Sequence, residues 1–283
     1  MRRVLIAGCG YVGAATARLF QDAGWSVEGW TRSGQAELEP GDTGRIRAVD
    51  LGDRNQVRAA PGTFDVVIHS ASSGGGGAGS YRDVYLEGAR HLCERFAEAL
   101  IIFVSSTSVY AQRAGEWVTE ESPAQPEHET GRILREAENK TLEHGGAVAR
   151  LAGLYGPGRS ALVQRTMRRE AVIDPRQDRF VNQLHRDDAA AALFFLGHNP
   201  DAVRGQIYNV ADDQPFLLSE CYRWLAEKLD RPSPPLAEAP PSSGKRGESN
   251  KRVRNTKLRE AGWAPAYPSF IEGMEKSVLP SWG

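Results

Sequence analysis

The chain has 283 residues, 40% of them hydrophobic and 25% charged, enough for one or two domains around a sizeable core and unlike the apolar-poor composition of disordered chains. Its 35 Lys and Arg against 36 Asp and Glu leave a formal net charge of −1, so no global field recruits nucleic acid or anionic lipid. No apolar run approaches the ~18–20 residues that span a membrane, and Cys9, Cys93 and Cys221 are too few and too scattered for a disulfide framework or a zinc site.

In chain order, Val4 to Ala7 reads as a first core strand and not as the apolar stretch of a secretion signal, because the sequence runs straight on into a structured motif. A helix over Tyr11 to Ala23 follows, then strands at Ser26 to Trp30 and Ile46 to Val49, a helix at Arg54 to Ala60, a strand at Val66 to Ser70 and a helix at Tyr81 to Ala97. Leu100 to Val104 continues the series as an almost wholly apolar strand, followed by a helix around Arg132 to Glu143 and strands at Ala147 to Leu151 and Ile207 to Val210. Such alternation predicts βαβ units, hence a doubly wound parallel sheet of Rossmann type covered on both faces. The tract from Gly74 to Gly79 reads as a flexible loop, with a lid over a site as the functional alternative. After Leu229, five prolines and a Ser-Ser-Gly run mark a linker, and Asn255 to Ala261 reads as a short helix stopped by Gly262.

The most specific motif is Gly8-Cys9-Gly10-Tyr11-Val12-Gly13, a GxGxxG directly after a strand and at the opening of a helix. Glycines there permit a tight turn, backbone approach to a pyrophosphate and close helix packing, while the helix N-terminus supplies amides. Cofactor choice is read at the end of the second strand, where an acid would accept the adenosine ribose hydroxyls of NAD. Thr31 stands there, followed by Arg32, whose guanidinium suits a 2′-phosphate, so NADP is favoured while NAD stays open. The basic run from Lys245 to Arg259 lacks interleaved aromatics and reads as a solvated face with one or two anion contacts, not as a nucleic-acid surface.

These pieces, with Asp50-Leu51-Gly52-Asp53, Val66-Val67-Ile68-His69-Ser70-Ala71, the run from Phe103 to Tyr110, the run from Arg150 to Arg159, and His185-Arg186-Asp187-Asp188, resemble the NAD(P)-dependent epimerase/dehydratase family, the extended and atypical short-chain dehydrogenases/reductases. The resemblance implies a cofactor-binding core over 1–155, with 181–210 returning to it, and a smaller substrate-binding subdomain from 156–180 and 211–283. It assigns cofactor contacts to Gly8, Gly10, Tyr11, Val12, Gly13, Thr31, Arg32, Asp50, Leu51, Ser70, Ala71 and Ser105, and substrate contacts to Tyr155 and Arg246. It places the family's active-site hydroxyl at Ser106, which can hydrogen-bond a substrate carbonyl as charge develops on it.

One departure stands out. The family's Tyr-x-x-x-Lys pair falls on Thr130 and Leu134, and an aliphatic hydroxyl is far too weak an acid to replace a phenol of pKa ≈ 10 tuned by a cation. His128 and His185 are the substitutes the sequence offers, although a histidine is more often a surface or structural residue than a catalyst, and Ser106, Thr130 and His185 form the expected catalytic set. The expectation is a cytoplasmic, metal-free enzyme, an NADP-dependent oxidoreductase or epimerase/dehydratase on a small polar or nucleotide-linked substrate, with room for a homodimer. A non-catalytic dinucleotide sensor of the same fold is the alternative.

Overall fold

The computed structural model describes residues 1–36, 44–75, 77–237 and 249–282. Five strands, β1 (Arg3–Ala7), β2 (Ser26–Thr31), β3 (Arg45–Ala48), β4 (Val66–His69) and β5 (Leu100–Ser106), join Ala147–Leu151 and Ile207–Val210 in one seven-stranded sheet. Every pairing in it is parallel. From one edge the order is Ile207–Val210, Ala147–Leu151, β5, β4, β1, β2, β3. The chain walks outward from β1 to β3 and then crosses back to place β4 on the other side of β1. The strand order therefore reverses between β1 and β4, which opens a crevice at their carboxyl ends. This is the doubly wound Rossmann-type α/β sheet that the strand-helix alternation predicts.

Alternation along β1 shows how both faces are covered. Val4 and Ile6 point to a layer containing Phe20 of helix α1 (Tyr11–Asp22) and Leu193 and Leu196 of the helix Arg186–His198. Leu5 and Ala7 point the other way, to Leu92, Cys93 and Phe96 around the helix Gly88–Arg95. Burying about a dozen such side chains, at roughly 1.5–3 kcal/mol each before entropy, fixes the register that brings the glycine turn and the end of β5 to the same edge.

The remaining segments build the smaller part. Short strands pair as Gly153–Tyr155 with Gln183–His185, Phe180–Val181 with Phe216–Leu217, and Glu116–Val118 with Lys251–Val253. Helices Ala161–Met167 and Leu218–Lys228 pack against one another, over a core of Tyr155, Val163, Cys221, Leu225, Phe270, Met274 and Val278. The expected division at 211 is not clean, because Leu258 and Trp263 are buried in the main core. The expected flexible loop over 74–79 is also corrected in part: Gly74 and Gly75 turn with positive φ, but Gly77–Tyr81 is helical and continues into a π-helical stretch, Arg82–Glu87. Within the basic segment, Arg252 lies between Trp117 and Phe180, Arg254 lies over Trp117, and Arg259 pairs with Asp213. Arg254 and Arg259 are exposed and the Arg259–Asp213 pair is an anion contact of the kind expected, while Arg252 is half-buried between its two rings.

Candidate active site

The turn after β1 shows why its glycines are there. Gly8 has φ +108°, and a Cβ on it would sit 2.1 Å from the amide nitrogen of Ala71. Only a residue without a side chain lets the loop after β4 close against the turn. A Cβ on Gly13 would meet the Gly8 carbonyl oxygen at 2.2 Å, so α1 is held directly against the turn. Gly10 is different, because a Cβ there has nothing within 4 Å. Gly10 is the N-cap of α1, and no side chain caps that helix. Its first-turn amides have no intrahelical partner, so they and the positive end of the helix dipole face open space. This cradle fits a dinucleotide pyrophosphate.

The cradle is the middle of a cleft of about 630 Å³. At one end, beyond β2 and β3, lie Thr31, Arg32, Asp50 and Leu51; in the middle, Gly8, Gly10, Tyr11, Val12, Ser70 and Ala71; at the β5 end, Ser105 and Ser106. The structure thus brings twelve expected contacts to one cavity, with Gly13 directly beneath the turn. Ser70 Oγ donates to the Gly8 carbonyl at 3.0 Å, which ties the two loops together. Asp50 Oδ1 accepts from the Gly52 amide at 2.9 Å and shapes the turn after β3. Ser106 ends β5, and its Oγ accepts from the Ser108 amide at 3.1 Å. That bond leaves its O–H as a donor into the cleft.

Behind this wall sits a buried polar network. Ser105 Oγ donates to Glu138 Oε1 at 2.6 Å, and Arg150 grips the same carboxylate through Nε at 3.0 Å and Nη2 at 2.7 Å. Arg135 also bonds Glu138, and Arg150 Nη1 reaches the Tyr110 hydroxyl at 2.8 Å. A fully buried carboxylate is tolerable when charge-assisted bonds satisfy it in this way. The network clamps β5 to Ala147–Leu151 and to the helix Glu129–Glu143, fixing the position of Ser106. Glu138 lies two helical turns beyond Thr130 on the same face, a spacing from which it could have been found in the sequence.

Thr130, His185, Tyr155 and His128 do not line the cleft. Thr130 is half-buried in the first turn of its helix and does not line the cavity, whereas Leu134 does. His185 is wholly buried: its Nδ1 accepts from the Asp187 amide at 3.2 Å, its Nε2 contacts Ser277 Oγ at 3.0 Å, and its ring lies 4.0 Å from that of Tyr267. Burial pushes its pKa down to about 4, so it is a neutral helix cap and not the catalyst expected. Tyr155 is buried in the core of the small part with its hydroxyl toward the Ser269 carbonyl, which corrects its assignment to substrate. Arg246 lies outside the described residues, and His128 is an exposed N-cap residue.

The sequence reading missed other walls of the cleft, namely Tyr81 and Tyr85, the apolar Leu151, Ala152 and Leu154, and Arg159. Arg159 lies 5.2 Å from the centroid of the Tyr11 ring, and Arg186 approaches the same ring at 5.3 Å. The signal for the tyrosines was present as an i, i+4 pair on one helix, but nothing in the sequence says which face looks onto the crevice.

Comparison with known proteins agrees with this geometry. A family model described as the NAD dependent epimerase/dehydratase family matches residues 4–211. The chain belongs to that family. It is 28% identical to protein YeeZ of Escherichia coli K12 across 95% of the chain and 97% of that protein. It is also similar to the solved structure of a Methylobacillus flagellatus protein assigned to the NAD-dependent epimerase/dehydratases, at 27% identity and a TM-score of 0.80, covering 99% of this chain and 98% of that one. The Thermus thermophilus UDP-glucose 4-epimerase, solved with NAD, shares the fold at 21% identity and a TM-score of 0.77, each chain covered to 99%. No helix among the described residues is long and apolar enough to cross a membrane.

Proposed function

We propose that this family member is an NADP-dependent oxidoreductase, or an epimerase/dehydratase-like enzyme, acting on a carbonyl or alcohol of a small polar or nucleotide-linked substrate. The observation that carries the reading is the continuity of one cleft from the uncapped amides of α1 to the Ser106 hydroxyl. A bound nicotinamide supplies or accepts a hydride at the substrate carbon. Ser106 donates to the substrate oxygen where negative charge develops, the role in which a single preorganised donor is worth about 10²–10³ in rate. Leu134, Leu151, Ala152 and Leu154 keep that end of the cleft apolar, which strengthens every hydrogen bond made inside it. NADP is favoured because Thr31 and exposed Arg32 border the far end and, among the described residues, no acid stands at the end of β2 to receive a ribose diol. Nucleotide-linked sugars are the leading substrate class, since UDP-glucose accompanies NAD in the solved relative MoeE5, a fold-level likeness at 18% identity. Buried thiols at Cys93 and Cys221, held protonated with pKa values of about 12, suit a cytoplasmic protein.

Leu134 favours a second reading, a dinucleotide sensor, because an alkyl chain stands where the family's catalytic cation belongs. The test is NADPH oxidation against a panel of carbonyls and sugar nucleotides. Turnover that falls about 10²-fold in Ser106→Ala, with NADPH affinity unchanged, supports the enzyme. Tight NADPH binding with no turnover of any panel member supports the sensor.

A further inference from the structure

With Thr130 outside the cavity and Leu134 inside it, the helix Glu129–Glu143 offers the cleft no proton donor in its first turns. The facing wall offers two phenols. Tyr81 and Tyr85 lie one helical turn apart with ring centroids at 4.8 Å, and both border the cleft together with Ser106 and Leu134. Tyr85 belongs to the π-helical stretch Arg82–Glu87. Such widened turns re-aim side chains and recur at functional sites. The stretch packs against the helix Glu129–Glu143, and the Tyr85 ring meets Phe103 edge-on at 6.4 Å, three residues before Ser106 on β5. The phenol is therefore wedged between the strand that carries Ser106 and the helix that lacks the acid. Hydrogen bonding with the Ser73 backbone and side chain partly offsets the effect of burial on this phenol.

We propose that Tyr85 is the proton donor of this active site, taking the place of the phenol missing from position 130. The proposal rests on the carbonyl-reduction reading above. As hydride from the reduced cofactor reaches the carbonyl carbon, the π electron pair moves onto oxygen, and that oxygen takes the phenolic proton of Tyr85 while Ser106 donates a second hydrogen bond. The phenolate left behind is reprotonated from water at the mouth of the cleft. Burial raises the Tyr85 pKa above the ordinary phenol value, and Tyr81, the titratable neighbour acting on it, raises it further. Tyr85 thus enters the reaction protonated, as a donor must.

The assignment can be tested without knowing the substrate. The oxidised nicotinamide ring is positively charged and the reduced ring is neutral, while the phosphates are the same in both. A phenol beside the ring should therefore ionise about one pH unit lower with NADP⁺ bound than with NADPH bound. An ultraviolet difference titration of tyrosinate in the two complexes should show this shift for one phenol in the wild type and in Tyr81→Phe. It should be absent from Tyr85→Phe, which keeps the ring packed on Phe103. With any carbonyl that is turned over, Tyr85→Phe should lower kcat by about 10²–10⁴-fold at unchanged NADPH affinity. A shift that persists in Tyr85→Phe, or cofactor binding with no shift at all, overturns the Tyr85 assignment alone. Failure of the wild type to bind NADPH brings down the cofactor reading and this proposal with it.

Discussion

Replacing Gly10 with glutamate separates cofactor binding from folding. A Cβ at Gly10 has nothing within 4 Å, and its φ of −103° is open to any L-residue, so the side chain enters the cleft without strain. The new carboxylate stands at the start of α1, where the helix dipole favours it by about 0.3–1 kcal/mol, and loss of glycine freedom in the unfolded chain adds about 0.4–1 kcal/mol. Stability should hold or rise slightly. Binding should suffer, because a carboxylate ~4 Å from a phosphate at an effective dielectric of about 20 costs about 4 kcal/mol, roughly a 10³-fold loss. The contrasting substitution is Gly8→Ala, whose Cβ would lie 2.1 Å from the Ala71 nitrogen in a left-handed backbone, so the strain falls on the fold. That variant should lose at least about 1–3 kcal/mol and melt several degrees lower. The assay pairs NADPH fluorescence titration with a thermal melt. A folded Gly10→Glu that binds NADPH as the wild type does would refute the placement of the pyrophosphate at this turn.

Arg32→Ala should weaken NADPH binding by ~1–3 kcal/mol and leave NADH binding unchanged, as calorimetric titration of both cofactors would show. Equal losses would mean that Arg32 does not read the 2′-phosphate. His69 is buried on β4 with its pKa lowered to about 4 by burial, so the folded state keeps it neutral where the unfolded chain takes up a proton. Its contribution is complete above pH ~6.5 and is lost as pH falls toward 4, by about 1.4 kcal/mol per pH unit. His69→Leu should therefore lose less stability than the wild type between pH 6.5 and 5 in denaturant melts. The opposing rise from Asp188, held up to about 6 by burial, is common to both proteins, and parallel curves would contradict the assignment.

The cofactor half was legible because its residues are tied to backbone geometry. Gly8 and Gly13 are demanded by close approaches, Gly10 keeps the start of α1 open, and the runs at Val66–His69 and Ala147–Leu151 are the fully buried strands that a parallel sheet requires. The smaller part was not. Its strands of two or three residues, such as Phe180–Val181 and Glu116–Val118, are too short to carry a period, and their partners lie far away in sequence. His185 and Tyr155 were misread for one shared reason. A titratable side chain in a recognisable segment looks functional until burial shows it capping a helix or filling a core. Tyr85 was overlooked for the converse reason, since a tyrosine in an amphipathic helix reads as packing until the facing wall is known.

The most direct test of the central claim is a crystal structure of the protein with NADP⁺ bound. The account predicts pyrophosphate oxygens on the first-turn amides of α1, the 2′-phosphate against Arg32, and nicotinamide C4 facing a space where a substrate carbonyl carbon would sit with its oxygen about 2.6–3.2 Å from the Ser106 and Tyr85 hydroxyls. A dinucleotide seated elsewhere, or a nicotinamide turned away from Ser106, would contradict it.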